Sequence, residues 1–225
     1  MNYFSNPHYT RSGKAVVNLI IINVIIFLGG ELLSRSRGIS LTEHFALWNP
    51  WDSQNDYFRF WQPFTSMFLH ADLMHLLFNM LGIYFFGRML EQVWGTKRFL
   101  IFYVVSGIGS AIIYLLWSVL KYTQQGGAGE YALYGADFAP CVGASGAVFG
   151  LMIGAAMLFP NTQFLIYGII PMRLGWLAIL YGSYELLMMI KDSPFDRVAH
   201  VAHVGGLIVG FIMLMIYRRK KGNFY

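Results

Sequence analysis

The chain has 225 residues, of which 56% are hydrophobic and only 12% charged. Soluble domains carry about 25% charge, so there is too little polar surface here to cover a soluble globule, and the composition is that of an integral membrane protein. The net charge of +5 is dispersed at the ends of apolar runs, not gathered on one face among aromatics, which excludes a nucleic-acid binder.

Other classes fall away on similar grounds. The single Cys141 excludes an internal disulfide and a cysteine-based structural zinc site. Apolar stretches that run on without alternating argue against a β-barrel. A cleaved signal peptide is not expected, because the first fourteen residues are polar and no small-residue cleavage site follows the first apolar run.

A spanning helix needs ~20 mostly apolar residues. In chain order, a polar N-terminal tail (1–14) precedes five clear runs: Ala15–Leu33, Leu69–Phe86, Phe99–Leu120, Cys141–Phe159 and Val198–Tyr217. A sixth, Leu174–Ile190, is shorter and carries Glu185; the stretch Phe164–Pro171 before it reads as a connecting loop near the membrane surface. The predicted fold is therefore all-α, a six-transmembrane-helix bundle over 15–217 with a basic tail at 218–225. The long connection Ser34–Phe68, with Trp48, Trp51, Trp61, Tyr57 and several Phe, suits the headgroup level. A second long connection, Lys121–Pro140, is Gly-rich and expected to be flexible at its centre.

Lys and Arg accumulate on the cytoplasmic side. With the N-terminus inside, Arg11, Lys14, Arg88, Lys97, Arg98, Arg173, Arg218, Arg219, Lys220 and Lys221 fall inside, against Arg35, Arg37, Arg59, Lys121, Lys191 and Arg197 outside. Both termini are expected to be cytoplasmic.

Polar groups inside spans are costly and become functional candidates. They are Asn18 and Asn23 in span one, His75 and Asn79 in span two, Ser145 in span four, Glu185 in span five, and His200 and His203 in span six, with His70 at the mouth of span two. Spans two, four and six all run from outside to inside. His75, Asn79, Ser145 and His203 sit near the starts of those spans, so they share one depth a little below the outer surface.

The chemistry suits that cluster. A serine hydroxyl is a weak nucleophile until a base takes its proton, and imidazole is the usual base near neutral pH. Gly143-Ala144-Ser145-Gly146 places the serine where a Gly-rich loop becomes a helix, with a free backbone N–H and the positive helix end beside it. His75 and Asn79, at i and i+4, point from one face and could stabilise an oxyanion. Gly146/Gly150 and Gly206/Gly210 are small-xxx-small steps that let spans four and six approach until Ser145 and His203 hydrogen-bond. Phe149 lies on the Ser145 face and could pack on the imidazole. No intramembrane Asp is available to orient His203, which makes the arrangement a dyad. Glu185 shows no evident partner and reads as structural or gating.

Blander readings stand beside this one. GASGAVFG could be helix packing alone. His200 and His203, at i and i+3, could hold a haem or a metal, but there is no HExxH and no carboxylate is expected at this depth, so no metal or cofactor is assigned. His70 and His200 read as structural or pocket-lining, Cys141 as a bystander, and Asn18 and Asn23 as interhelical hydrogen-bond formers. A small transporter or redox carrier built on Glu185 is a further alternative.

Four segments resemble the rhomboid family of intramembrane serine proteases: HADLMHLLFNM (His70–Met80), GRMLEQVWGTKRFLIFY (Gly87–Tyr103), GASGAVFG (Gly143–Gly150) and AHVGGLIVG (Ala202–Gly210). They occur in the expected order on the expected spans, over roughly residues 13–217, and resemble the basic bacterial form. The resemblance implies Ser145 as nucleophile and His203 as general base. It implies an oxyanion hole of His75, Asn79 and the Ser145 N–H, with Gly143, Gly146, Phe149 and Gly206 supporting the site.

Further expectations come with it. Glu91 and Gly95 match a structural pattern at the inner end of span two. The first outer loop would be half-submerged, and span five with the loop Lys191–Arg197 would gate substrate entry. Where the family often carries Trp-Arg before span two, this chain has Trp61-Gln62. The implied partners are single-span membrane proteins and lipid, and the implied setting is a bacterial inner membrane. A catalytically silent, membrane-protein-binding relative is the alternative, which loss of the Ser or His would mark; both are present.

Overall fold

The computed structural model describes residues 13–50, 56–124, 140–166, 169–191 and 198–220. Helix α1 (Lys14–Arg37) is apolar on most of its circumference, and Ile25, Leu28 and Leu32 project outward on it. Such a surface is stable only against lipid or protein. Asn23 is buried, but its Nδ2 donates to the carbonyl of Leu19 in its own helix at 2.8 Å, and Asn18 is exposed. Neither makes the interhelical bond expected of it, because the helix turns Asn18 away from the bundle and the nearest acceptor to Asn23 is its own preceding turn.

Among its described residues, the segment after α1 holds two short helices, α2 (Leu41–Phe45) and α3 (Gln62–Thr65), and a tight turn at Ser66–Phe68. Gln62, fully buried, organises it. Its Oε1 accepts from the Trp48 N–H at 3.2 Å, and its Nε2 donates to the carbonyls of Tyr57 at 2.7 Å and His44 at 3.3 Å. A neutral amide, donor and acceptor at once, thus ties the segment at the position where the sequence departs from Trp-Arg. Phe60, at 84% exposure, and Phe64 point outward beside it.

Helix α4 (Leu73–Gly82) starts at Asp72, whose side chain accepts from the His75 N–H at 2.8 Å. It runs through a π-type stretch, Ile83–Gly87, into α5 (Arg88–Trp94). Gly95, at φ 75°, then reverses the chain into α6 (Thr96–Gln124), a left-handed conformation that a side chain would disfavour. At this end Glu91, fully buried, accepts from the N–H groups of Ala15 at 3.2 Å and Val16 at 3.1 Å and from the Thr96 hydroxyl at 2.7 Å. One carboxylate therefore satisfies two of the orphan donors at the start of α1 and binds α5 to α6.

Helix α7 (Ser145–Leu158) is the central element, its small residues letting α6 and α9 close around it. The segment expected as a loop after it is a short antiparallel ribbon, β1 (Gln163–Ile166) with β2 (Ile170–Arg173), Phe164 opposite Met172. Pairing satisfies backbone groups that a bare loop at this level would leave open. Helices α8 (Leu174–Lys191) and α9 (His200–Lys220) complete the fold.

The result is a polytopic helical membrane fold. Among the described residues, four helical runs are long and apolar enough to cross a membrane: Lys14–Arg37, Leu73–Trp94, Thr96–Lys121 and His200–Arg219. At ~1.5 Å per residue, α7 with its 14 residues covers about 21 Å, less than the ~30 Å of a hydrocarbon core. The predicted span Cys141–Phe159 is shortened at its start because residues 141–144 are drawn into loop contacts. The tail up to residue 12, the centre of the Gly-rich connection (125–139), the loop residues 192–197 and the last five residues lie outside the described residues.

Candidate active site

The chain enters α7 through a loop fixed by the segment that follows α1. Leu47 and Cys141 exchange both backbone hydrogen bonds, at 3.0 and 2.9 Å, and the Gly143 N–H donates to the carbonyl of Ser66 at 3.0 Å. Gly143 sits at φ 125°, and a Cβ there would lie 2.7 Å from His75 Nε2 and 3.6 Å from Ser145 Oγ. Glycine is required on both counts. Ser145 follows as the first helical residue of α7, half-buried, where its N–H has no partner within the helix.

Helix α9 brings His203 against it. A Cβ on Gly206 would run into the carbonyl oxygen of Gly146, and one on Gly210 would lie 2.7 Å from the Gly150 Cα. With only hydrogen at these positions the backbones touch, and His203 Nε2 reaches Ser145 Oγ at 2.9 Å. Phe149, one turn on from Ser145, stacks on the imidazole with centroids 4.4 Å apart and planes 18° from parallel.

His75 and Asn79 come from α4, which packs on α7. The Ala71 N–H donates to His75 Nδ1 at 3.4 Å, so a neutral imidazole carries its proton on Nε2, the atom facing Gly143 and the serine. Asn79 is buried and donates one Nδ2 hydrogen to the His75 carbonyl at 2.9 Å, leaving its second for another acceptor. His70 lies edge-on to His75, centroids 5.1 Å apart, and burial lowers its pKa to about 4. All of Ser145, His203, His75 and Phe149 are thus gathered around Gly143 and the start of α7, with Asn79 one turn below His75.

Glu185 departs from expectation. It is 2% exposed, and its Oε2 accepts from His203 Nδ1 at 2.8 Å and from His200 Nδ1 at 2.5 Å. A carboxylate does reach the depth of His203, because α8 packs on α9 with this residue facing inward. The signal was present in the sequence: a lone carboxylate in an apolar helix must find polar partners, and the next helix opens with two histidines. Glu185, His200 and His203 also place their ligand atoms within 4.8 Å of one another, the group among the described residues that could hold a metal ion.

Comparison with known proteins decides the family. The rhomboid domain matches residues 57–220. The chain belongs to the rhomboid family. It is 31% identical to the putative rhomboid protease YdcA of Bacillus subtilis over 167 residues, 73% of this chain and 71% of that protein. It is 27% identical to the rhomboid protease GlpG of Pectobacterium atrosepticum over 216 residues, 95% of this chain and 66% of that protein. It is 29% identical to the mitochondrial RHOMBOID-like protein 12 of Arabidopsis thaliana over 161 residues, covering 71% of this chain but 46% of that protein. The chain spans less than half the length of such plant rhomboids. Ser145, His203, His75, Asn79 and Glu185 all fall within the matched rhomboid domain.

Proposed function

We propose that this rhomboid-family chain is an intramembrane serine endopeptidase that cuts single-span membrane proteins near their outer membrane boundary. Ser145 is the nucleophile and His203 the general base. The single observation that carries the reading is the 2.9 Å approach of Ser145 Oγ to His203 Nε2.

In the reaction, Ser145 Oγ attacks the scissile carbonyl carbon while its proton passes to His203 Nε2. The oxyanion is received by the Ser145 N–H, His75 Nε2–H and the second Nδ2–H of Asn79. As the C–N bond breaks, His203 returns the proton to the leaving amine. Water then attacks the acyl-serine, again through His203, and releases the second product. A helical substrate hides its carbonyls in its own hydrogen bonds, so sites able to unwind, with Gly, Pro or polar residues, are preferred.

The proposed setting is a six-helix bundle in a bacterial inner membrane with both termini cytoplasmic, supported by ten of the sixteen Lys and Arg falling on that side. The shortness of α7 supports a site below the surface, since Ser145 opens a helix too short to cross the hydrocarbon core by itself.

The test is cleavage of a single-span substrate by the purified chain, beside Ser145→Ala and His203→Ala, with and without a chelator. Cleavage that survives chelation and disappears in both variants is expected. Cleavage by Ser145→Ala at the unmutated rate, or loss to the chelator alone, overturns the assignment.

A further inference from the structure

We infer that Glu185 is a positioning residue that holds the base in its working tautomer, extending the Ser145–His203 pair to a triad contributed by α7, α9 and α8. The inference rests on the serine-protease reading above and deepens it.

An ionised carboxylate only accepts hydrogen bonds. Glu185 Oε2 lies 2.8 Å from His203 Nδ1 and 2.5 Å from His200 Nδ1, so both Nδ1 atoms carry hydrogen. In a neutral imidazole that leaves Nε2 of His203 with a lone pair, and Nε2 is the atom 2.9 Å from Ser145 Oγ. The opposite tautomer would present N–H to the hydroxyl and could take no proton from it. When Nε2 does take the serine proton, the imidazolium sits against the carboxylate and is stabilised where water does not screen it.

Two further contacts fix the ring and the carboxylate. Phe149 stacks on the face of His203 and so limits its rotation, and His200 offers Oε2 a second N–H. Glu185 and His200 are both buried, at 2% and 7% exposure, so neither depends on bulk solvent for its partner. The alternative occupant of this cluster is a metal ion. Ligands at ~2.0–2.1 Å around a tetrahedral ion stand more than 3 Å apart, whereas the nitrogen–oxygen separations here are 2.5 and 2.8 Å. That is hydrogen-bond spacing.

A purely structural role, fastening α8 to α9, would also use these contacts, so the experiment needs readouts that fastening does not move. The full chain in detergent is compared as the unmutated protein, Ser145→Ala, Glu185→Gln and Glu185→Asp, for kcat and KM on a single-span substrate. Nitrogen NMR of 15N-histidine-labelled unmutated protein, with His203 assigned by its loss in His203→Gln, reads the tautomer directly. Expected are the Nδ1–H tautomer at His203, a fall in kcat of ~10²–10⁴-fold in Glu185→Gln with KM nearly unchanged, and partial recovery of kcat in Glu185→Asp.

A proton on Nε2 of His203 in the unmutated chain overturns the inference even if every variant misfolds. So does a folded Glu185→Gln with unmutated kcat, or one whose loss lies wholly in KM. If Ser145→Ala is inactive while Glu185→Gln cleaves normally, only the role of Glu185 falls. If Ser145→Ala still cleaves, the serine-protease reading falls and this inference with it.

Discussion

The Cα of Gly206 lies so close to the carbonyl oxygen of Gly146 that no side chain fits between them. This contact sets the separation of α7 and α9, and through it the reach of His203 to Ser145. Gly206→Ala must push the helices apart or strain both. Overpacking of this kind costs ~1–3 kcal/mol, and a small displacement breaks a 2.9 Å hydrogen bond. Cleavage is therefore expected to fall by at least ~10²-fold while the thermal midpoint in detergent drops only by several degrees. Unchanged cleavage would mean that the helices do not set the serine–histidine distance.

Asn79 keeps one Nδ2 hydrogen on the His75 carbonyl; in the proposed mechanism the other serves the developing oxyanion. Asn79→Ala is expected to lower kcat by ~10²–10³-fold, about 2.7–4 kcal/mol of barrier, with little change in KM. A loss confined to KM would place Asn79 in substrate binding instead.

Glu91 acts on stability, far from the serine. Its carboxylate answers two N–H groups of α1 and the Thr96 hydroxyl. Glu91→Ala strands these donors, at ~1–3 kcal/mol for each that remains buried and unpaired. Chemical denaturation should show a clear loss of stability, with kcat of the remaining folded protein unaltered.

His70 gives a pH signature. Its pKa is lowered by burial from 6.5 to about 4, so the folded chain binds fewer protons than the unfolded chain between these values. Above pH 6.5 both states are neutral and the residue is silent. As pH falls through the window from 6.5 to 4, the unfolded state is favoured progressively. His70→Gln should flatten the decline of the unfolding midpoint across that window. An identical decline in both proteins would show that His70 does not report on the folded state.

Much of the site was legible without coordinates. Charge and hydropathy are one-dimensional properties, so composition and continuous apolar runs marked a membrane protein and located most of its helical segments to within a few residues, whereas the second, expected to end at Phe86, runs on through the π-type stretch and α5 to Trp94. Alternating direction then put His75, Asn79, Ser145 and His203 at one depth, and the glycine spacing pointed to a close pair of helices. At Gly206 and Gly210 the two helices approach too closely for a side chain.

Rotation and partner choice were decided only in three dimensions. A helix apolar on all sides does not announce which face meets a neighbour, so the sequence left Asn18 and Asn23 with interhelical bonds they do not make and Glu185 without the two histidines it binds. The start of α7 likewise depended on Leu47 and Ser66, which draw residues 141–143 into a loop and shorten the helix from its N-terminal end. The residues fixed membrane class because each carries its polarity with it. The tertiary structure fixed which imidazole nitrogen faces the serine, because that depends on a carboxylate from another helix.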